Sequence, residues 1–401
     1  MITDGRLADI LPEIFLRLPT PADLIRTSAT CMSFHRLTAD RSFLRRFRKL
    51  HTPPILGFLD TAGFHPATPP HPSASAALAT AFTADFSFSF LPPPARWTVQ
   101  DIRDGRVLLN RHHTGEQRRP LFSELVVCDP LHQRYLLLPP IPDDLVASLD
   151  DPLCELSEPF LAPHGSEELV EVVDEEISFQ VIWVASGLTK PVAFVFSSNT
   201  RQWRPAEYHN WNDLLDSKCY PMGNTGRHML SQRRFAYGCF YWKIDFWNVL
   251  LVLNSQGMEF STVGLPFGTF TLTCNIVEAG EGRLGTFNIE GNRSDFCYSI
   301  RQSKSRSSKP NQWQMEKAIS LDSRYEHYIT GVTERYAILV GKENKSYDSS
   351  SLKCPGYECF ILDVKTLQID RMCAKKHTKS GISGTHIYTN YPPSLLSSSK
   401  I

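Results

Sequence analysis

The pattern of apolar and polar residues changes character near residue 50. Before it, apolar residues recur at helical spacing, as at Ile10 and Ile14. After it, short apolar runs alternate with turn-forming residues and sustained helical spacing is rare, which is typical of an all-β domain. The chain therefore predicts a helical domain at 1–50, a large β domain at 51–373, and a tail at 374–401 that holds a closing strand and a disordered end.

The first domain is predicted to contain several short helices. Thr20 suits an N-cap, Pro21 suits the first helical position, and Asp23 suits the first turn because of the helix dipole. Later apolar residues mark a third and a fourth helix: Phe34, Leu37, Phe43, Leu44 and Phe47. Helices this short must bury their apolar faces, against either the rest of the chain or a partner.

One set of residues in the segment 7–47 carries a family resemblance: Leu7, Asp9, Leu11, Glu13, Ile14, Phe15, Leu18, Pro19, Asp23, Leu24, Cys31, Phe34 and Leu37. With them the segment resembles an F-box, the helical module that docks onto the Skp adaptor of cullin-RING ubiquitin ligases. The sequence EIFLRLPTPADL, followed later by DRSFLRRF, is similar to the corresponding sequence of grass F-box proteins. Ala8 stands where the family usually has proline and Thr30 where it usually has valine, while Phe34 stands where many members have tryptophan.

The resemblance implies a function and a set of contact residues. The chain would be the substrate-recognition subunit of an SCF-type ubiquitin ligase, with a Skp-type adaptor, a cullin-RING ligase and an unidentified target protein as partners. By analogy, adaptor contact is expected from nine residues: Leu7, Leu11, Ile14, Phe15, Leu18, Pro19, Leu24, Ile25 and Phe34. An alternative is an F-box protein with a structural or competitive role and no delivered substrate. A propeller enzyme, the third hypothesis, would need convergent polar groups at a central channel.

The β domain contains an internal repeat. Four hairpins align without gaps: VVCDPLHQRYLLL, FVFSSNTRQWRPA, LVLNSQGMEFSTV and FILDVKTLQIDRM. Each places a small polar residue six positions before a bulky apolar one: Asp129 and Tyr135, Ser197 and Trp203, Asn254 and Phe260, Asp363 and Ile369. Their intervals are 68, 57 and 109 residues (197 − 129, 254 − 197 and 363 − 254), so one further unit is expected in the last gap, at residues 286–301 with Trp313.

Repeats of this length predict an irregular β-propeller of about six blades, with seven possible. The resemblance agrees, since grass F-box proteins commonly carry a propeller-like domain. Residues 86–90 with Trp97 are expected to supply another unit, and residues 386–391 a strand that closes the ring. Residues 65–84, rich in Pro, Ala, His and Ser, are predicted to form a long low-complexity surface loop. The alternative fold is an irregular β-sandwich array.

Composition narrows the function classes. The 42 basic and 42 acidic residues balance, so no overall charge favours nucleic acid or a membrane surface as a partner. No catalytic, cofactor-binding or metal-ligating motif stands out, so the chain is predicted to be non-catalytic, without cofactor or metal. It is also predicted to be soluble and intracellular, in the cytoplasm or nucleus, with no signal peptide or membrane span.

The aromatic residues are the remaining candidates for a binding surface. The segment 237–247 is the densest aromatic stretch, and its alternation predicts that Tyr237 and Tyr241 share one strand face while Trp242 lies on the other. Most of these rings are expected to fill the core. The alternative is that one or two reach a rim and form a recognition surface with Trp203 and Trp211.

Overall fold

In the computed structural model, helices occupy the N-terminal part of the chain and β-sheets most of the rest. The described residues are 4–19, 21–51, 53–93, 96–112, 124–147, 149, 157–163, 179–206, 209–215, 230–244, 249–265, 275–290, 295–301, 313–333, 335–344, 357–375 and 385–390.

Four helices form an N-terminal module: α1 (Asp4–Leu16), α2 (Pro21–Ser28), α3 (Met32–Thr38) and α4 (Arg41–Leu50). The module has a core of its own, made by Phe15, Leu16, Leu24, Phe43, Leu44 and Phe47. The start of α4 is capped by Asp40, whose carboxylate accepts a hydrogen bond from the Phe43 N–H at 3.0 Å. The four helices predicted from the sequence are thus confirmed, while the cap predicted at Thr20 lies outside the described residues.

The described strands form six antiparallel sheets, here called blades 1–6. In blade 1, β1 (Ile55–Asp60) lies between β2 (Gly63–Pro66) and β23 (His386–Thr389). Blade 2 holds β3 (Arg96–Arg103), β4 (Arg106–His112), β5 (Leu125–Asp129) and β6 (Arg134–Leu137). Blade 3 holds β7 (Ser157–Leu161), β8 (Gln180–Ser186), β9 (Pro191–Ser197) and β10 (Gln202–Pro205).

The remaining blades repeat this order of four consecutive strands. Blade 4 holds β11 (Leu230–Ala236), β12 (Cys239–Ile244), β13 (Val249–Asn254) and β14 (Phe260–Gly264). Blade 5 holds β15 (Asn275–Glu278), β16 (Leu284–Glu290), β17 (Asp295–Arg301) and β18 (Trp313–Ser320). Blade 6 holds β19 (Tyr325–Val332), β20 (Tyr336–Glu343), β21 (Tyr357–Asp363) and β22 (Ile369–Lys375).

The six blades are arranged as a ring around their innermost strands. Contacts join β3 with β7, β11 with β15, β15 with β19, and β23 with β3. The C-terminal strand β23 pairs with β1 at the other end of the domain, with Thr389 opposite Ile55 and Ile387 opposite Phe58. The architecture is therefore a six-bladed β-propeller, which confirms the predicted blade number and closing strand. The alternative of a β-sandwich array is wrong.

The repeat found in the sequence is the hairpin between the third and fourth strands of blades 2, 3, 4 and 6. In three of these turns the polar residue caps two N–H groups of the turn with its side chain; these residues are Asp129, Asn254 and Asp363. Four residues after the polar position, each hairpin has a non-glycine residue at positive φ: Gln133, Arg201, Met258 and Leu367. The strict spacing of the repeat thus reflects one turn geometry used four times.

The two further predicted units had different outcomes. The described residues of 286–301, together with Trp313, lie in blade 5, as predicted for the gap in the repeat. Trp97 lies in β3, but residues 86–90 form a turn segment and no strand, so that part of the prediction is wrong. Asp85 explains the turn, because its carboxylate accepts hydrogen bonds from the N–H and hydroxyl groups of both Ser87 and Ser89.

Blade 1 has three strands, and a helix follows its outer strand β2. This helix, α5 (Ala74–Thr83), packs on β1 and β2 and buries Ala77 and Thr80. The prediction of a long loop at 65–84 is therefore wrong for these ten residues. Alanine has the highest helix propensity, and the prolines lie before the helix, which explains the difference. Two short helices, α6 (Asp143–Val146) and α7 (Trp211–Leu214), lie between later blades.

The innermost strands run in the same direction. Asp101 of β3 contacts Arg233 of β11, and Arg103, two residues later on β3, contacts Phe235, two residues later on β11. We call the face where these strands end the turn face, because the tight turn at 104–105 connects β3 to β4 there. The opposite face is called the loop face.

The helical module joins the propeller at the turn face. A Cβ atom on Gly105 would lie 2.3 Å from the Asn390 side chain, which places the end of β23 beside the tight turn of blade 2. The Asn390 N–H in turn donates a hydrogen bond to the carbonyl of Pro54, the residue before β1. The connector from the helices therefore enters at this face.

Candidate functional site

The helical module exposes apolar side chains although it has its own core. Ile10 is 55% exposed, Ile14 is 50% exposed and Met32 is 70% exposed. Ile10 and Ile14 are four residues apart on α1, so they lie on the same side of the helix. We call Ile10, Ile14 and Met32 the exposed apolar set. Adjoining exposed apolar side chains, such as Ile10 and Ile14, are typical of surfaces that bind another protein.

The nine residues predicted to contact the adaptor fall into different environments. Ile14 and Pro19 are exposed. Four of the nine are half-buried and pack against the core of the module: Leu11, Leu18, Ile25 and Phe34. The ring of Phe34 lies edge-on to that of Phe15, with 5.0 Å between the ring centres. The side chain of Leu7 lies outside the described part of the molecule.

Two of the nine predicted contact residues are buried in the structure. Phe15 is 4% exposed and Leu24 is fully buried, so neither offers a surface to a partner in this conformation. Their helical spacing signals burial as readily as docking, and the structure assigns them to the core. Ile10 and Met32 are exposed residues that the prediction did not include. Ile10 belongs to the apolar spacing of α1, whereas no sequence signal distinguishes Met32.

A second group of functional candidates lies in the channel enclosed by the innermost strands. Arg233 of β11 forms an ion pair with Asp101 of β3 at 3.0 Å. These strands are second neighbours around the ring, so the Arg233 side chain reaches across the channel. Its Nη1 also lies 3.7 Å from Glu158 Oε2 on β7, which is too long for a hydrogen bond. We call Asp101, Glu158 and Arg233 the channel cluster.

Neighbouring groups fix the members of the channel cluster in place. The Arg233 guanidinium lies 4.4 Å from the centre of the Phe160 ring, a cation–π contact. Asp101 Oδ2 accepts a hydrogen bond from the Leu161 N–H at 2.8 Å. Glu158 Oε1 accepts one from the indole N–H of Trp242. Polar side chains from three blades therefore converge in the channel.

A second contact spans the channel closer to the turn face. The Arg103 guanidinium lies 4.7 Å from the centre of the Phe235 ring. Arg103 lies two positions after Asp101, and Phe235 lies two positions after Arg233. This contact is therefore the next layer along the channel. Side chains thus cross the channel at two successive levels.

His386, the first residue of the closing strand, lies near the channel cluster. Burial lowers the pKa of its imidazole, and the positive charge of Arg233 lowers it further, while the negative charge of Asp101 opposes both effects. A lowered pKa keeps His386 neutral at pH 7.

The aromatic residues of the β domain mainly fill its core. Trp203 is 8% exposed and Trp211 is 2% exposed, so the alternative in which aromatic residues of 237–247 form a recognition surface together with these two is wrong. Trp242 packs in the core between blades 3 and 4, whereas Tyr237 and Tyr241 belong to a separate cluster on the other face of the sheet. The predicted alternation is thus confirmed for these residues, while Trp247 lies outside the described residues.

The part of the chain that the structure describes contains no cluster of three or more His, Cys, Asp or Glu side chains arranged to hold a metal ion. None of its helices has the length and apolar character needed to cross a membrane.

Comparisons with known proteins add little to this description. No family model matches the chain, and no curated protein matches it. TolB from Acinetobacter baumannii is similar over 68% of this chain and 52% of its own length, with 10% identity and a TM-score of 0.32. The WD40 domain of SCAP from fission yeast is similar over 72% of this chain and 75% of its own, with 10% identity and a TM-score of 0.32.

A third similar structure is the β-propeller domain of Cps50 (Swd1) from Myceliophteria thermophila. The similarity covers 67% of this chain and 70% of that one, with 10% identity and a TM-score of 0.30. This chain spans about half the length of TolB. TM-scores of this size support no inference, and the propeller fold follows from the strand pairing of the chain itself.

Proposed function

We propose that this chain is the substrate-recognition subunit of an SCF-type ubiquitin ligase. The helical module would bind a Skp-type adaptor, and the propeller would bind the target protein. The observation that carries the proposal is a helical module that has its own core and still exposes Ile10, Ile14 and Met32. The resemblance of the sequence of residues 7–47 to an F-box supports the same function.

The proposed role requires binding and placement but no chemistry by the chain itself. A short connector with two prolines, residues 51–54, separates α4 from β1 and limits the reach between the two parts. Binding the adaptor and the target at the same time raises the effective concentration of target lysines near the ligase. The propeller supplies a rigid frame with loops for selection.

The test is adaptor binding by a surface variant of the full chain. Ile10→Asp combined with Ile14→Asp places two charges in the exposed apolar set without altering the core of the module. Leu78→Asp is the matched control, because Leu78 is 54% exposed and lies on α5 of the propeller. The double variant is expected to lose co-purification with a Skp adaptor, while the control keeps it. Unchanged adaptor binding by the double variant would contradict the proposal.

The alternative role without a delivered substrate makes the same prediction for the adaptor. It differs in the next step, because such a complex would not recruit cullin or promote ubiquitin transfer. Reconstitution with cullin and the RING subunit distinguishes the two roles.

The channel cluster favours a propeller enzyme as a second candidate. Proton transfer would require a carboxylate that can approach a substrate. Asp101 is held by both Arg233 and the Leu161 N–H, which leaves Glu158 as the candidate base. Screening the purified chain for hydrolase activity tests this candidate, and an activity lost in Glu158→Gln would favour it over the ligase subunit.

A further inference from the structure

We propose that Cys359 and Cys373 are an oxidation site, at which a small peroxide converts two thiols into a disulfide between the last two strands of blade 6. Both residues are thiols in the structure. The disulfide would fasten the outer strand β22 to its neighbour β21, at the place where the chain of blade 1 attaches to blade 6. The site belongs to the propeller and does not depend on adaptor binding.

The first argument is the pairing of the two strands. In the antiparallel ladder of β21 and β22, Cys359 lies directly opposite Cys373. Directly opposite residues in such a ladder have Cα atoms about 4.5–5.5 Å apart, and disulfides form at Cα separations of about 4.4–6.8 Å. The backbone therefore already holds the two cysteines at a separation that a disulfide can span.

The second argument is the direction of the two side chains. Cys359 is 1% exposed and Cys373 is 2% exposed, and both belong to one core cluster formed by blades 6, 1 and 2. Opposite residues of an antiparallel ladder project from the same face of the sheet and contact each other. The two sulfur atoms therefore lie on the same side of blade 6, and neither strand has to turn over for the bond to form.

The third argument is the contrast with the other cysteines of the described strands, which are Cys128, Cys239 and Cys297. Their ladder partners contain no sulfur: Val107 and Tyr135 for Cys128, Ala236 and Asn254 for Cys239, and Asn288 and Ala318 for Cys297. Within the described strands, blade 6 is thus the one place where two cysteines lie opposite each other.

The fourth argument is the position of β22 at the outer edge of blade 6, where it pairs with β21 alone. The pairing shifts by one residue at Met372, directly beside Cys373. The Met372 carbonyl accepts hydrogen bonds from the N–H and hydroxyl groups of Thr68, just after β2 of blade 1. Such a bulge interrupts the ladder locally, and weakly paired edges open more readily than the centre of a sheet. Opening of β22 admits a small oxidant, and the disulfide then holds β22 where blade 1 attaches.

The oxidation balances with hydrogen peroxide as the oxidant. The Cys373 thiolate attacks the peroxide, so an S–O bond forms, the O–O bond breaks, and the departing hydroxide takes up the proton that Cys373 had lost. The Cys359 sulfur then attacks the oxidised sulfur; an S–S bond forms, the S–O bond breaks, and the departing hydroxide takes up the Cys359 proton. Two thiols and one peroxide thus give one disulfide and two waters, and two electrons pass to the peroxide.

The test is disulfide mapping of the purified full-length chain. The reduced chain is treated with hydrogen peroxide in native buffer, the oxidant is removed, the remaining thiols are alkylated in urea, and the digest is analysed by mass spectrometry without reductant. Cleavage after Glu358 separates Cys359 from Cys354, so each linkage is assigned to one cysteine. The expected product is a peptide that links Cys359 to Cys373 and that dithiothreitol cleaves.

The exposed Cys31 serves as an internal control, because its oxidation shows that the peroxide acted. Recovery of both Cys359 and Cys373 as alkylated thiols in the same sample would overturn the inference. Linkage of either residue to a different cysteine would overturn it as well.

Thermal unfolding shows whether the bond fits the folded state. The oxidised chain is expected to unfold at least about 2 °C above the reduced chain, because the bond restricts the unfolded chain. Cys373→Ala should lose both the linked peptide and this shift. Cys297→Ala should keep both, and it is the matched control because Cys297 is also buried on the third strand of its blade, close to a shift in the pairing.

An oxidised chain that unfolds no higher than the reduced one would refute the site, as would a shift of equal size in Cys373→Ala. If Cys373→Ala fails to fold, Cys359→Ala takes its place, and the mapping of the unmodified chain needs neither variant. Adaptor binding does not enter these measurements, so their failure leaves the proposed function intact.

Discussion

The hairpin turn of blade 6 gives the sharpest test of how the repeat is built. Asp363 Oδ1 accepts hydrogen bonds from the Lys365 and Thr366 N–H groups at 2.8 and 3.1 Å. Its Oδ2 pairs with Arg335 at 2.9 Å, and its side chain is 15% exposed. Asp363→Asn keeps the oxygen that accepts the turn bonds and removes the ion pair, as Asn254 does in the equivalent turn of blade 4.

The magnitudes follow from these contacts. The partly exposed ion pair is worth about 0.5–1 kcal/mol, so Asp363→Asn is expected to lower the free energy of unfolding by about that amount. Asp363→Ala also loses the two turn bonds, each worth about 0.5–1.5 kcal/mol, for a total loss of about 1.5–4 kcal/mol. Urea unfolding followed by tryptophan fluorescence measures both variants. Equal losses for the two variants would refute the turn-capping account, because the ion pair alone would then carry the effect.

The same carboxyl predicts a pH dependence with a defined sign. Burial alone raises the pKa of Asp363, but hydrogen bonds from Thr366, Lys365 and Arg335 outweigh it and hold the pKa below its usual value. The unfolded chain therefore binds more protons than the folded one as pH falls below about 4, and stability is lost there. Asp363→Asn should flatten this part of the acid profile. An unchanged acid slope would contradict the assignment.

Three further predictions concern other parts of the molecule. Leu24→Ala should destabilise the helical module by about 2–5 kcal/mol because the residue is fully buried, whereas Met32→Ala should have little effect on unfolding; equal effects would contradict the assigned core. The lowered pKa of His386 predicts that stability falls as pH drops from about 6.5 towards that pKa, since the unfolded chain then binds more protons; His386→Asn should remove this slope in a pH series of melting curves. Gly105→Ala should destabilise the propeller by more than about 1 kcal/mol, because φ is +76° and the new Cβ would lie 2.3 Å from the Asn390 side chain; a neutral result would exclude the close approach at ring closure.

The fold could be predicted where the same hairpin-forming pattern of residues recurs along the sequence. The spacing between Asp129 and Tyr135 and its three counterparts marks one hairpin type, because each turn has a left-handed residue four positions after the polar one, and in three of the four turns the polar side chain also caps the turn. Blade 1 was harder to predict, since its strands come from both ends of the domain and α5 follows β2. Ring closure is a long-range pairing, and no local sequence pattern specifies its partner.

The candidate sites were less predictable for a related reason. Helical spacing identified the apolar residues of the module but did not separate Leu24, which is buried, from Ile14, which is exposed. The channel cluster brings together residues from three blades that are far apart in the sequence. Nothing in the local sequence around Asp101, Glu158 or Arg233 indicates this meeting, which depends on the ring itself.

Adaptor binding is the step on which the proposed function depends, because the helical module is proposed to hold the adaptor while the propeller holds the target. The measurement is the molar mass of the purified full chain mixed with a Skp adaptor, determined by light scattering during size-exclusion chromatography at micromolar concentration. A single peak with the mass of one chain plus one adaptor is expected. Two separate peaks with the masses of the free proteins would contradict the proposed function.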